Sequence, residues 1–342
     1  MVAGPHRTAA FSDLFFTPAP CYNFSQGKHY CRQTMQQLSR IRQFSRYKEP
    51  AAETLGRIEP LLVRIQACPP RDISFTDDLG VPVHITYRVC DLQAVAFNRL
   101  KEWGHQDFLY RHSGKGLTAV QSKVSCIMEA IERYSASYVP LEGRTCVAAF
   151  KDLGPEAIDP RDFFLPRGVA FDESQPLTWF SGTNLFDCRQ VLVPVDYVLM
   201  DIPDPAYPFD GFETRRLGFY VSNGLCTGPT LDHALSGALC EVVERDFQSR
   251  ITAGAGPLPV ELDLRHDADF ADWFNLFEDR GMDLRAFYSR HSCGIVSVAA
   301  ASWDHHCRTL VTATGADPDP ALALQSAILE VARQRAFMFF HE

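Results

Sequence analysis

Three separated stretches of the chain carry apolar residues at helical spacing, and all three begin alike. "TAVQSKVSCIMEAIERYSA" holds Val124, Cys126, Ile127, Met128, Ala130 and Ile131, and "TLDHALSGALCEVVERDFQ" holds Ala238, Leu239, Cys240, Val242 and Val243. "DPALALQSAILEVARQR" adds Ala327, Ile328, Leu329, Val331 and Ala332. Each reads as a helix. Thr118, Thr230 and Asp319 open them, and these residue types accept hydrogen bonds from the free N–H groups of a first helical turn. Glycine-bearing turns lead into all three: "SGKGL" at 113, "SNGLCTG" at 222 and "TGADP" at 314.

Elsewhere the pattern changes period. "AAETLGRIEPLLVRI" (51–65) has helical spacing at Leu55, Ile58, Leu61, Leu62 and Ile65, broken by Pro60. "VPVHITYRV" alternates, with Val81, Val83, Ile85 and Tyr87 on one side, as a strand does. "QVLVPVDYVLM" and "GIVSVAAASW" also read as strands, whereas "PDPAYPFDG" is too rich in proline for either element. The turn-rich acidic stretch from Pro155 to Pro176 carries no compositional break that would mark a boundary. The expected fold class is α/β, with mixed sheets and helices and internal pseudo-repeats. The expected organisation is a basic arm or helix over 1–50, containing Arg32, Arg40, Arg42, Arg46 and Lys48, followed by one domain over 51–342.

Composition narrows the function. The 342 residues carry a formal charge of −9, which excludes a general electrostatic grip on nucleic acid. No run approaches the roughly 18 apolar residues of a membrane span, and "MVAGPHRTAA" lacks a signal-peptide hydrophobic region. Eleven scattered cysteines without a C-x-x-C pair point to reduced thiols in a cytoplasmic protein. "DHHC" at Asp304, His305, His306 and Cys307 matches a short acyltransferase signature, but the membrane helices and cysteine-rich zinc domain which that chemistry needs are missing, so it is read as coincidence.

The chemistry lies in the register of the three helices. Thr118 precedes Glu129, Glu132 and Arg133 by eleven, fourteen and fifteen residues, and Thr230 precedes Glu241, Glu244 and Arg245 by the same counts. Asp319 precedes Glu330 by eleven, and Arg333 stands where the others have the second glutamate. A single E-x-x-E-R string is usually a solvated stripe. Here the flanking residues are apolar, so the first glutamates should be at least partly buried. Ionised carboxylates withdrawn from water need a cation or several hydrogen bonds. Arg133 and Arg245 can neutralise part of the set, which would make it a structural ion-pair network. Four glutamates against two arginines also leave room for hard divalent cations, and Mg2+ takes carboxylate and phosphate oxygens. Lys115, between two glycines just before a helix, suits phosphate.

At these residues the sequence resembles the YcaO superfamily, and the N-terminal "ETLGRIEPLLVRI" followed by "DLGVPVHITYR" looks like its stand-alone, TfuA-associated members. The motifs that carry the resemblance are "SGKG" at 113, S-x-x-x-E-x-x-E-R from Ser125, "SNG" at 222 and E-x-x-E-R from Glu241. It implies a YcaO-like fold and an enzyme that uses ATP and Mg2+ to phosphorylate the oxygen of a peptide backbone amide. It also implies a ribosomal precursor peptide as substrate, a TfuA-like or leader-binding partner protein, and a homodimer. Carried over by position, Lys48 (or Arg46), Thr54, Lys115, Ser125, Glu129, Cys226, Arg245 and Glu330 would contact ATP. Glu129, Glu132, Glu241 and Glu244 would hold Mg2+; no catalytic residue is assigned.

The chain departs from the family pattern at Cys226, Pro229 and His233 after "SNG", and at Ser326 and Arg333 around Glu330. His233 puts an imidazole in place of a hard oxygen donor, which Mg2+ does not favour. The chain ends at "FFHE" without a proline-rich tail, which tilts the expectation toward thioamide over azoline formation. A non-catalytic homologue that binds peptide, partner or nucleotide is the alternative.

Overall fold

The computed structural model describes residues 36–45, 49–65, 67–75, 79–89, 109–136, 144–163, 165, 169–199, 217, 222–255 and 259–338. In chain order the elements are α1 (Ala51–Ile58), α2 (Leu61–Arg64), β1 (Arg71–Phe75), β2 (Val83–Val89), β3 (Leu109–Lys115), α3 (Ala119–Ala136), β4 (Thr145–Ala149), β5 (Pro176–Thr183) and β6 (Gln190–Pro194). They continue with α4 (Leu231–Thr252), β7 (Val260–Leu262), α5 (Ala271–Glu278), β8 (Met282–Arg290), β9 (Val296–Asp304), β10 (Thr309–Asp317) and α6 (Pro320–Met338). The strands form three antiparallel sheets, ordered β1-β2-β3, β4-β5-β6 and β10-β9-β8-β7. The fold is therefore mixed α/β, as the alternation of periods predicts.

All three caps form. Thr118 Oγ1 accepts from the Gln121 N–H while Gln121 Oε1 accepts from the Thr118 N–H, a reciprocal pair that satisfies two orphan donors. Thr230 Oγ1 accepts from His233 N, and Asp319 Oδ1 accepts from Ala321 N. The predicted break at Pro60 separates α1 from α2.

The pseudo-repeat is a strand pair followed by a helix laid back on its own second strand: β2-β3-α3 and β9-β10-α6. One glycine in each strand makes the close approach possible. A Cβ on Gly114 would lie 2.1 Å from the backbone of Ser122 and of Cys126, and one on Gly315 would lie 2.5 Å from Ala323 O and 2.9 Å from Ala327 N. The two glycines therefore meet their helices at the same offsets, eight and twelve residues on, and each precedes its glutamate, Glu129 or Glu330, by fifteen.

The main core lies between the β7–β10 sheet and helices α5 and α6. Trp273, Phe274, Leu276 and Phe277 of α5 pack with Met282, Leu284 and Ala286 of β8, Val298 and Ala300 of β9, and Ala327, Ile328 and Val331 of α6. Thr314 and Gly315 are consecutive, so they point to opposite faces of the sheet. Gly315 meets α6, whereas the Thr314 hydroxyl reaches Glu244 of α4. Helices α4 and α6 thus lie on opposite faces. A smaller core joins Ile58, Leu62 and Ile65 of the α1–α2 region to Ile127 and Ala130 of α3.

Three sequence expectations change, and the "DHHC" string finds its place. Strand β2 buries both faces, His84 and Thr86 as well as Val83 and Ile85, because α3 covers one face and the His84 imidazole is satisfied by Ser122 Oγ at 2.9 Å. Residues 36–45, expected in a basic arm or helix, are docked: Leu38 and Ile41 enter the main core, Phe44 stacks on Phe270, and the Phe44 backbone is held by Gln325. Helix α4 buries only Cys240 and Phe247, and Leu239 and Val242 are half exposed, so apolar flanks alone did not predict burial there. "DHHC" is the β9–β10 turn. Asp304 accepts from the N–H groups of His306 and Cys307 and binds the fully buried Arg335 at 2.8 Å, a structural role.

Replacing Gly315 by Ala sets a methyl group against α6 backbone on two sides and should destabilise the chain by about 3 kcal/mol, read as a lower urea midpoint. The same change at Gly56, exposed in α1 with nothing within 4 Å of the new Cβ, should add up to about 1 kcal/mol. Outcomes of opposite sign from one chemical change test the strand–helix contact rather than glycine content.

Candidate functional site

Among the described residues strand β3 is the edge of its sheet, so some of its N–H groups point away from the neighbouring strand β2. One of them is used at once: Ser113 N donates to Glu129 Oε2 at 2.7 Å. Helix α6 also reaches β3. Lys115 Nζ binds Glu330 Oε2, and Arg333 binds Glu330 Oε1 through both Nε, at 3.1 Å, and its second terminal nitrogen. Arg333 spans the gap with its other terminal nitrogen, which donates to Ser113 Oγ at 2.7 Å.

Burial alone would keep Glu330 protonated, but Lys115 and Arg333 outweigh it and hold the carboxyl well below the usual carboxylate range. Arg333 is likewise held more firmly protonated; burial opposes its charge, and Glu330 with Glu129 overcomes that opposition. This end of the site is one carboxylate between two cations.

The other end is short of positive charge. Glu132 lies 3.6 Å from Arg133 Nε, and Glu129 lies 3.9 Å from the same side chain, both longer than a good hydrogen bond. Burial pushes the Glu132 carboxyl up to about 7; Arg133 opposes this, while Glu241 and Glu129 push it further. Glu241 is raised by burial as well, and Glu244 adds to the effect. Arg245, at 3.3 Å, and the Gly224 N–H pull the other way. Gly224 sits at φ +81°, a conformation that suits glycine, and this turn aims its N–H at the acid. Glu241 Oε2 is buried without a hydrogen-bond partner among the described residues. Thr227 Oγ1 ties the loop to Met128 O of α3 at 3.0 Å.

The expected residues are therefore distributed unevenly. Lys115, Glu129, Glu132, Glu241, Arg245 and Glu330 gather around this pocket. Glu244 turns to β10, where the Thr314 hydroxyl donates to it at 2.8 Å. Ser125 is half-buried one turn before Glu129, and the Cys226 thiol donates to Thr227 O. Thr54 is buried and its hydroxyl donates to Glu49 at 2.9 Å. Lys48 and Arg46 lie outside the described residues. His233 engages the Thr230 cap through both its N–H and Nδ1, and Ser326 packs against Gly315, where a longer side chain would meet the strand.

Sequence reasoning missed Ser113 as an anchor, the Gly224 N–H and the Thr314 hydroxyl. It read Arg333 only as a departure. Backbone donors and strand hydroxyls leave no spacing signal; the shared fifteen-residue offset from Gly114 and Gly315 was the available clue to which helices meet.

Among the described residues no three His, Cys, Asp or Glu side chains are arranged to cage a metal by themselves. The donor set still fits Mg2+, which takes one or two carboxylates and completes its shell with phosphate oxygens and water. Glu241 Oε2 lacks a partner, and Glu132 is driven toward its protonated form because nothing near it fully compensates its charge; a divalent cation would supply what both lack.

Comparison with known proteins identifies the family. A family model described as "YcaO cyclodehydratase, ATP-ad Mg2+-binding" matches residues 113–341. An uncharacterised protein of Methanothermobacter thermautotrophicus is 29% identical over 290 residues, covering 83% of this chain and 69% of its own length. An uncharacterised protein from the tfuA 3' region of Rhizobium leguminosarum bv. trifolii is 29% identical over 241 residues, covering 65% of this chain. This chain spans only 54% of that protein's length. Among solved structures, YcaO from Methanopyrus kandleri, with AMPPCP and Mg2+ bound, superposes with a TM-score of 0.61 at 25% identity, over 84% of this chain and 68% of that one. A heterocyclase in complex with substrate and cofactor gives 0.68 at 21% identity, over 86% and 41%. That likeness speaks for the fold alone.

The Glu132 carboxyl titrates near 7 in the folded chain against an ordinary value of 4.5. Its contribution to the stability of the ligand-free protein is therefore fully present below about 4.5 and lost as the pH rises through about 7. Glu132→Gln should flatten the decline in stability between about pH 5 and pH 8 and gain no more than about 3 kcal/mol at the upper end. Urea unfolding across that range reads it; an unchanged slope would remove Glu132 from the buried acidic group.

Proposed function

The chain belongs to the YcaO family, whose cofactors are ATP and Mg2+, and from that premise we propose that it uses them to phosphorylate the oxygen of a backbone amide in a ribosomally made peptide. The observation that carries this reading is the polarity of the pocket, with two cations around Glu330 at one end and the under-compensated Glu132 and Glu241 at the other. A metal–triphosphate complex has both signs of charge and matches it end for end.

Mg2+, when bound, would supply charge neutralisation on the phosphates during transfer. The protein's part is positional. Glu132 and Glu241 would hold the metal ion, and ionisation of Glu132 on binding releases the proton it otherwise keeps. Lys115 and Arg333 would take phosphate oxygens. Gly224 fixes Glu241, Arg245 steadies it, and Ser113 N fixes Glu129.

The amide oxygen takes the phosphoryl group as ADP leaves. Attack by an external sulfur nucleophile at the activated carbon then expels phosphate with the former carbonyl oxygen and gives a thioamide. We favour this outcome over ring closure by a side-chain thiol or hydroxyl, which gives an azoline. The Rhizobium relative from the tfuA region supports a TfuA-like partner, and a homodimer is part of the same proposal.

Precursor peptides from neighbouring genes, incubated with the protein, ATP, Mg2+ and sulfide, with and without a TfuA-like protein, should exchange one oxygen for sulfur by mass spectrometry. Loss of water instead would replace thioamide by azoline formation. Nucleotide binding without any peptide change or phosphate release would favour the non-catalytic alternative, for which the altered Cys226, Pro229 and His233 speak. Glu241→Gln should slow ATP consumption by about 100-fold without loss of stability, since burial already drives this carboxyl toward its neutral form.

A further inference from the structure

Three positions after the first glutamate, α3 and α4 carry a second acid, Glu132 or Glu244, and α6 carries Arg333. The third helix thus reverses the sign of charge at one register position, and the structure shows where that charge goes. A guanidinium has five N–H donors and an ammonium three. Arg333 spends three of its five, two on Glu330 and one on Ser113 Oγ, and Lys115 spends one of its three on Glu330. Four donors remain, on side chains still 26% and 23% exposed. Both oxygens of Glu330 are engaged by these cations, and its side chain is only 15% exposed.

That arrangement is poor for a metal ion and good for an anion. A divalent cation on Glu330 would sit within a few ångströms of two positive groups, whereas phosphate oxygens would meet four unspent donors. The planar fork of Arg333 is held along both edges, by Glu330 on one and by the Ser113 hydroxyl on the other. It is therefore oriented before any ligand arrives, which a lysine on a flexible stem would not be.

We propose that Arg333 and Lys115 form a two-cation cradle for the phosphate chain of the nucleotide, and that Glu330 is the positioning residue that spaces them rather than a ligand of the metal ion. This rests on the nucleotide-site reading above, and it assigns to Arg333 a binding role that the spacing of the acidic motifs does not reveal.

Calorimetry of the full chain with Mg·AMPPCP, and separately with inorganic tripolyphosphate, tests it. Arg333→Gln should weaken both ligands by about 30-fold, the effect of losing charge-assisted hydrogen bonds. Arg333→Lys keeps a charge for Glu330, stays folded, and should recover only part of the affinity. Glu330→Gln should weaken both ligands while leaving the Mg2+ concentration needed for half-maximal AMPPCP binding unchanged. Thermal midpoints of all variants separate loss of binding from loss of fold.

If wild type and Arg333→Gln bind both ligands equally, the cradle is wrong while the nucleotide reading stands. If wild type refuses Mg·AMPPCP yet takes tripolyphosphate in an Arg333-dependent way, the nucleotide reading fails and the cradle survives. Binding of neither ligand overturns both. A raised Mg2+ requirement in Glu330→Gln makes Glu330 a metal ligand and overturns its positioning role.

Discussion

A carboxylate taken out of water must recover its lost solvation from cations or donors, and three helices bring glutamates to one pocket under that constraint. The chain meets it in two different ways. Glu330 is compensated internally by Lys115 and Arg333 and is held firmly ionised. Glu132 and Glu241 are not; their nearest arginines are 3.3 to 3.6 Å away, and burial drives both toward the protonated form. A folded protein with that imbalance is more stable when something positive arrives from outside, which is the physical basis of the cation site proposed above.

The divergence of two halves of a repeat produces the polarity. The β2-β3-α3 and β9-β10-α6 units share a strand glycine, a helix laid back on it, and a glutamate fifteen residues on. In the first, Glu129 takes a backbone N–H from the edge of β3 and leaves its arginine 3.9 Å away. In the second, Glu330 draws two side-chain cations, one of them from the other unit's strand. Lys115 lies on β3 and Glu330 on α6, so this ion pair also fastens the two halves together.

Much of this was legible in the sequence, because cap, glycine and glutamate offsets are rigid geometric quantities along a helix. Thr118, Thr230 and Asp319 cap as their identities require, and Pro60 breaks the first helix as its missing N–H requires. What was not legible depended on chain segments far apart in sequence. The count of four glutamates against two arginines omitted Arg333, because a register comparison sees the lost acid and cannot see the strand residue it reaches. Residues 36–45 looked polar in sequence, yet the few apolar side chains among them, Leu38, Ile41 and Phe44, decide their place. The apolar flanks of α4 misled in the opposite sense, since Leu239 and Val242 remain half exposed.

Helix α4 shows how the parts depend on one another. Among the described residues it buries only Cys240 and Phe247 and lies along β10 and β9, with the Thr314–Glu244 bond between them, yet it carries Glu241, the acid with an unpartnered oxygen. The cationic end of the pocket, by contrast, is built on β3 and on α6, which buries ten of its side chains, most of them in the main core. The firmly packed elements thus hold the charges that are already satisfied, and the least packed long helix holds the one that is not. A bridge from Glu241 to Lys115 and Arg333 would join α4 to β3 and α6 through the ligand itself. Local stability is lowest where packing is sparse, so the same ligand that compensates the acids would also add its binding energy to the element that has least of its own.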